Sequence, residues 1–326
     1  MIAVRVASRI HFGLLSFGAS ADTLYGGAGI MVNDPWLEVQ GRPSDAFQAE
    51  GPHAEQINRV ADAWSTYFGT APPPLLVSTA GLMRDHVGLG FGTQLGLAVA
   101  KLLSHGAGIE ATLPQLVASA ARGRRSAVGS HGFAQGGFLY ERGQSAEGEF
   151  PPLAYQRPLP EAWRMVLATQ RGVRGCHGEQ ENQGFSTLPP VPAEVTQRLK
   201  GLIEEGMIPA LKAADCRAFG EAVTEYGYVA GGCYLPIQSE RYAGPVCCRL
   251  VEQMRGLGIA GVGQSSWGPT IFGICTSAAE AESAAEALRR DWSAQEMEIM
   301  VTAPANQGAI LHEPAGEANL KNIKTS

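Results

Sequence analysis

The most informative stretch of the sequence is His86–Leu103, HVGLGFGTQLGLAVAKLL, in which a glycine-rich loop leads directly into an apolar helix. Glycines let backbone N–H groups approach a ligand with no Cβ in the way. The helix start adds unpaired N–H groups and the positive end of the helix dipole. The segment therefore predicts a phosphate-binding loop, with a tight turn that only packs the helix as the alternative. The predicted binding residues here are Gly88, Gly90, Gly92, Thr93 and Gln94.

Two better-known nucleotide loops do not fit this stretch. A Walker A loop ends in Gly-Lys-Ser/Thr, which is absent here. The dinucleotide fingerprint needs a different glycine spacing from Gly88-x-Gly90-x-Gly92.

Two further polar segments flank the loop along the chain, Ala7–Leu15 (ASRIHFGLL) and Gly263–Gly273 (GQSSWGPTIFG). In this order, the three segments resemble the motifs of the GHMP superfamily of small-molecule kinases. The resemblance implies an α+β, two-lobed fold, with an N-terminal lobe like ribosomal protein S5 domain 2 and a ferredoxin-like C-terminal lobe. The active site would lie between the lobes.

The segment Arg122–Phe133, RGRRSAVGSHGF, narrows the resemblance. Several GHMP kinases carry Gly-x-Pro-Ser-Gly-x-Asp here, with the Asp as catalytic carboxylate, and in this chain Gly129 takes its place. Glycine has no side chain that could accept a proton. The segment instead resembles the β-ribofuranosylaminobenzene 5′-phosphate synthase family, as do the first motif, the turn Tyr25–Gly29 and the Trp-Gly-Pro-Thr loop. The match covers roughly residues 5 to 275.

The family reaction joins phosphoribosyl pyrophosphate (PRPP) to an aromatic acid, 4-hydroxybenzoate or 4-aminobenzoate, and releases CO2 and pyrophosphate in tetrahydromethanopterin biosynthesis. The resemblance implies Mg²⁺ as cofactor, although the spacing of the acidic residues forms no metal site. A base near the para substituent would help, and the candidates are His11, His131 and Glu179. The other predicted substrate-binding residues are Ser8, Arg9, Arg124, Arg125, Ser126, Gln264, Ser265, Trp267 and Thr270.

The sequence also allows two other functions. An ATP-dependent GHMP kinase could use the same loop if another carboxylate, such as Glu179, replaced the missing Asp. A non-catalytic binding protein could also use this scaffold. His11 and His131 have purely structural alternatives, at a strand end and in a turn.

Composition limits the partners and the compartment. A net charge of −6 argues against nonspecific nucleic-acid binding. The cluster of Arg122, Arg124 and Arg125 therefore indicates a specific anionic ligand, with a solvated helix end as the alternative. We find no signal peptide and no apolar run long enough for a membrane span. We expect a cytoplasmic homodimer.

The predicted lobes are residues 1–155 and 156–326, because the Gly-, Glu- and Pro-rich stretch Glu141–Pro160 is the best boundary. Helical spacing predicts helices at Ala54–Phe68 and Pro245–Gly256, among others. We expect irregular loops at 129–132 and 177–182, and a final strand at Met297–Val301.

Overall fold

Two β-sheets carry the fold in the computed structural model, which describes residues 1–18, 24–123, 125–144, 150–176 and 178–312, with backbone only at 179–182. The strands are β1 (Ile2–Ser16), β2 (Tyr25–Pro43), β3 (Gln48–Ala49), β4 (Leu75–Gly81), β5 (Phe138–Glu141), β6 (Leu153–Arg157), β7 (Arg164–Gln170), β8 (Gly261–Gln264), β9 (Thr270–Cys275), β10 (Met297–Thr302) and β11 (Ile310–His312). The helices are α1 (Ala54–Phe68), α2 (Phe91–Gly106), α3 (Leu113–Ser119), α4 (Val128–Gln135), α5 (Gly178–Thr187), α6 (Ala193–Gly201), a π-helix (Leu202–Met207), α7 (Ile208–Lys212), α8 (Cys216–Gly232), α9 (Pro245–Gly256) and α10 (Ala278–Asp291).

The first sheet has the order β11-β1-β2-β4-β3, and β5 pairs with both β2 and β6. Helices α1 and α2 cover it. One face of α1 buries Ile57, Val60 and Trp64, and the helix ends at Gly69, whose φ of 66° is left-handed. Helix α2 is apolar on nearly all sides because it lies inside this lobe, between the sheet and the other helices.

The second sheet has the order β10-β7-β9-β8, and every neighbouring pair is antiparallel. Helices α8 and α9 come between β7 and β8, and α10 comes between β9 and β10. This strand order and the β-α-β-β-α-β succession are ferredoxin-like. The predicted α+β, two-lobed architecture is therefore confirmed.

A shared aromatic core joins the two lobes. Phe12 on β1 lies 5.5 Å from Phe272 on β9, and Phe138 on β5 lies 5.6 Å from Phe219 on α8, between ring centroids. These rings belong to one buried cluster. Because interiors of this kind are close-packed, the core holds the facing surfaces of the lobes in a fixed relation.

Several local predictions need correction. Residues 178–182, expected as loop, begin helix α5, and the expected loop at 129–132 lies in helix α4. The strand at Met297–Thr302 is followed by β11, which pairs with β1. The predicted boundary between residues 155 and 156 falls inside β6, and the chain returns to the first sheet at β11. No helix in the described part of the chain is long and apolar enough to cross a membrane.

Candidate active site

A pocket of about 480 Å³ opens where the glycine-rich loop faces the second lobe. This volume is typical of small-molecule sites. Its walls include Arg9, His11, Gly88, Gly90, Gly92, Thr93, Arg122, Arg125, Ser126, Gly129, Phe185, Tyr234, Gln264 and Trp267. The sequence motifs from both ends of the chain thus meet around one cavity.

The glycine-rich loop needs its glycines. Gly88 and Gly90 have φ values of 88° and 81°, which L side chains rarely adopt. A Cβ on Gly88 would collide with the carbonyl oxygen of Ser265, and one on Gly90 would lie 3.2 Å from Arg9 Cβ. Gly90 caps the start of α2, so the N–H groups of the first helical turn lie at the pocket wall.

Four predicted binding side chains are buried and bond the protein itself. Ser8 Oγ donates to the Pro35 carbonyl (2.6 Å), Gln94 Nε2 to the Gly129 carbonyl (2.9 Å), Ser265 Oγ to the Gly88 carbonyl (2.7 Å) and Thr270 Oγ1 to the Val87 carbonyl (2.7 Å). The last two bonds tie the glycine-rich loop to the second lobe. We therefore assign Ser265 and Thr270 to positioning the loop and Gln94 to positioning α4, while Ser8 joins β1 to β2.

Four arginines line the pocket in the described part of the chain, Arg9, Arg122, Arg125 and Arg241. A Cβ built on Gly92 would lie 3.5 Å from Arg122 Nη1, and one on Gly90 would lie 3.3 Å from Arg9 Nε. Two of the cations are thus beside the glycine-rich loop in a chain of net charge −6. Predicted Arg124 lies outside the described residues.

Another part of the pocket wall is aromatic. The Trp267 ring lies 4.7 Å from Tyr234 and 5.4 Å from Phe185, between centroids. The Arg125 guanidinium lies 4.8 Å over the Phe185 ring. Trp267 was expected from its motif. Phe185 and Tyr234 were missed, because each is a single aromatic residue outside every motif. Gln264 supports this wall by accepting from the Ala243 N–H at 2.6 Å.

The predicted bases have different surroundings. His11 lines the pocket, is nearly fully buried, and has its Nε2 atom 3.0 Å from Ser126 Oγ. Burial, and then the charge of Arg9, hold the pKa of His11 well below its usual value, so its ring is neutral. His131 is buried with its Nε2 atom 2.9 Å from the Pro151 carbonyl oxygen, away from the pocket walls. Glu179 lies in the first turn of α5, and its side chain lies outside the described part of the chain.

Comparison with known proteins gives relatives that share one name. A β-ribofuranosylphenol 5′-phosphate synthase from Archaeoglobus fulgidus is 30% identical over 330 aligned residues, which cover 94% of this chain and 98% of the relative. The chain belongs to the β-ribofuranosylphenol 5′-phosphate synthase family. The synthase from Methanothermobacter thermautotrophicus is 29% identical, over 83% of this chain and 88% of the relative. The chain is accordingly an enzyme of the phosphoribosyltransferase type.

Two further comparisons concern the C-terminal lobe and the fold. The GHMP kinases C-terminal family model matches residues 207–294 of this synthase-family chain. A homoserine kinase structure from Cytophaga hutchinsonii has a TM-score of 0.64 at 16% identity, covering 95% of this chain and 97% of that one. A mevalonate diphosphate decarboxylase from Staphylococcus aureus has a TM-score of 0.66 at 14% identity, covering 96% and 99%. At these identities the likeness concerns the fold alone.

Proposed function

We propose that this enzyme condenses PRPP with 4-hydroxybenzoate, forming a carbon–carbon bond to the ribose and releasing CO2 and pyrophosphate. The observation that carries the proposal is a pocket with a cationic, glycine-lined end and an aromatic end. The curated relatives are named for a phenol product, which supports the hydroxy acid over 4-aminobenzoate as substrate.

The glycine-rich end suits the phosphates of PRPP. Loss of pyrophosphate places negative charge on the leaving group and positive charge on the anomeric carbon. Backbone N–H groups at the start of α2 and the guanidinium groups of Arg9 and Arg122 stabilise that negative charge. Because the glycine-rich loop is tied to the second lobe by Ser265 and Thr270, these donors are oriented before the substrate arrives.

The aromatic end suits the ring of the second substrate. Trp267, Tyr234 and Phe185 offer ring faces and edges to a flat benzoate. Arg125 lies over the Phe185 ring and lines the same pocket, so its charge can reach an anionic group of either substrate. The two ends bring the carboxylate-bearing carbon of the ring towards the anomeric carbon, which the reaction requires.

His11 is the base we propose. The para hydroxyl gives up its proton as the ring carbon attacks, and loss of CO2 then restores the aromatic ring. A neutral, buried imidazole at the pocket wall can accept that proton. We propose no such role for His131, because its ring nitrogen bonds a backbone carbonyl away from the pocket.

The expected Mg²⁺ has no protein cage in the described part of the chain, where no group of three or more His, Cys, Asp or Glu residues could hold a metal ion. Mg²⁺ is often bound mainly through substrate phosphates. We propose that it enters with the pyrophosphate of PRPP, and we derive no step from its ligands. The cytoplasmic location, the homodimer and a role in tetrahydromethanopterin biosynthesis also remain proposals.

A thermal-shift panel with PRPP, ATP and 4-hydroxybenzoate, each with Mg²⁺, tests this function, because a ligand that binds the folded state raises its apparent stability. We expect PRPP and 4-hydroxybenzoate each to raise the melting temperature. A shift with ATP alone, together with phosphorylation of a small alcohol, would support the kinase alternative and refute the synthase proposal.

A further inference from the structure

A buried carboxylate lies behind the pocket wall. Glu141, the last residue of β5, has no exposed surface. One of its oxygens accepts from the Ala127 N–H at 3.1 Å, and the other accepts from the Gly143 N–H at 2.8 Å. The hydroxyl of Ser126 also hydrogen-bonds this carboxylate. Glu141 stands outside every motif of the sequence, yet one hydroxyl separates it from the pocket.

The Ser126 hydroxyl connects Glu141 to His11. Ser126 Oγ lies 3.0 Å from His11 Nε2, and it accepts from the Val128 N–H at 3.2 Å. A hydroxyl has a single proton to donate. When Glu141 is ionised it can only accept, so Ser126 donates to Glu141 and His11 Nε2 must donate to Ser126. His11 then carries its proton on Nε2, which leaves Nδ1 as the proton-accepting atom of the ring.

We propose that Glu141 is a positioning residue that acts through Ser126 on His11, and that the three form a proton relay serving the aromatic acid. This inference rests on the proposed function and specifies which groups hold the substrate's hydroxyl proton while the carbon–carbon bond forms.

The step balances without any further reactant. The hydroxyl proton moves to His11 Nδ1, the Nε2 proton moves to Ser126 Oγ, and the Ser126 proton moves to Glu141. Meanwhile the ring carbon bonds to the anomeric carbon as the bond to pyrophosphate breaks. CO2 then leaves, its bonding electron pair returns to the ring, and the phenolate oxygen takes the proton back along the same path. No proton is consumed overall.

The surroundings of the three groups favour a transfer through the imidazole to Glu141. Burial and Arg9 lower the pKa of His11, so the ring does not retain a second proton. Burial raises the pKa of Glu141 to about 7, against the lowering effect of its hydrogen bonds, so the carboxylate can receive the proton near neutral pH. Arg9 faces His11, and Tyr226 on α8 faces Glu141. Burial, and then the neighbouring Tyr234 and Glu141, raise the pKa of Tyr226 well above its usual value, so it stays neutral.

Nitrogen-15 NMR of the histidine side chains in the ligand-free protein tests the relay without any reaction. The chain has 7 histidines, and a His11→Asn variant identifies the His11 signal. We expect wild type and Ser126→Thr to hold His11 in the Nε2–H tautomer at pH 8, and Ser126→Ala to lose that preference. An unchanged tautomer in Ser126→Ala, or an Nδ1–H tautomer in wild type, would overturn the proposal.

The pH profile of kcat tests the role of Glu141. Glu141→Gln should lower kcat by about tenfold or more and remove the ionisation near pH 7, while KM for PRPP stays near the wild-type value. Glu204→Gln is the matched control, because Glu204 is a partly exposed carboxylate bonded to the neighbouring Tyr140. An unchanged pH profile in Glu141→Gln would overturn the relay alone. Absence of product with the wild type would refute the proposed function, and the NMR measurement would still decide the relay.

Discussion

Gly129 lies where a carboxylate would meet the guanidinium of Arg9, and an aspartate there tests how the pocket holds phosphate. A Cβ built on Gly129 lies 3.7 Å from Arg9 Nε and 3.4 Å from Thr93 Cγ2, which are ordinary contacts. The position is in the first turn of α4, where an acidic side chain is favoured by about 0.3–1 kcal/mol. Gly129→Asp should therefore fold, with its carboxylate paired to Arg9.

The magnitude follows from the contact that is lost. When Arg9 pairs with the introduced carboxylate, the PRPP phosphates lose a charge-assisted hydrogen bond worth about 1.5–3 kcal/mol. We expect PRPP to bind roughly 10- to 150-fold more weakly. Binding of 4-hydroxybenzoate should change little, because its ring lies against the aromatic wall. The variant should gain no kinase activity, since its carboxylate is engaged by Arg9.

Isothermal titration calorimetry with PRPP and with 4-hydroxybenzoate measures both effects. Gly129→Asn is the matched control, because it has the same shape without the charge, and Gly129→Ala tests the backbone effect alone. If the Asn variant loses as much PRPP affinity as the Asp variant, the cause is steric. If the Asp variant keeps wild-type affinity, Arg9 does not hold a phosphate.

Four other outcomes are expected. Gly90→Val should place a branched side chain where the phosphates approach the loop and so weaken PRPP binding. Arg125→Ala should weaken PRPP binding roughly 10- to 150-fold, from a contact of about 1.5–3 kcal/mol. Wild-type PRPP affinity in both folded variants, measured by calorimetry, would refute the phosphate assignment. Trp267→Ala should raise KM for 4-hydroxybenzoate by about three- to tenfold, because about 0.5–1.5 kcal/mol of ring packing is lost. Steady-state kinetics in which KM rises equally for both substrates would contradict this prediction. Because the folded-state pKa of Glu141 is raised to about 7, its contribution to stability is present below pH 4.5 and is lost as pH rises through 7, a change on the order of 3 kcal/mol. The lowered pKa of His11 has the opposite effect, because it makes the free energy of unfolding rise with pH below pH 6.5. Urea unfolding should therefore be used to measure the difference in this free energy between wild type and Glu141→Gln at each pH. A difference that does not depend on pH would refute the prediction. Light scattering at micromolar concentration should show a homodimer, and a monomer would end that proposal.

Some individual helices could be predicted from the sequence. Helix α9 has the predicted bounds Pro245–Gly256, because a proline begins it and apolar residues recur at helical spacing. The existence of α2 followed from the glycine-rich loop, but the predicted range of about 94–103 is three residues short at each end of the observed Phe91–Gly106. The polar stretch after Cys176 was wrongly expected to be a loop. It forms α5 from Gly178, although its residues have little apolar periodicity.

The site could be predicted only in part from the sequence. A motif identifies residues that are neighbours along the chain, whereas a pocket is formed by tertiary contacts between distant segments. His131 shares a motif with Ser126, but it lies two residues after Gly129 on α4, about 200° around the helix. When Gly129 faces the pocket, His131 therefore faces away. Phe185 and Tyr234 reach the pocket only through the packing of α5 and the end of α8.

The most direct test of the synthase account is a single reaction with PRPP, Mg²⁺ and 4-hydroxybenzoate labelled in its carboxyl carbon. The account predicts that labelled CO2 and pyrophosphate appear in equal amounts, with an unlabelled ribosylphenol phosphate as the third product. Retention of the label in the product, or no CO2 from a folded enzyme that binds both substrates, would contradict it.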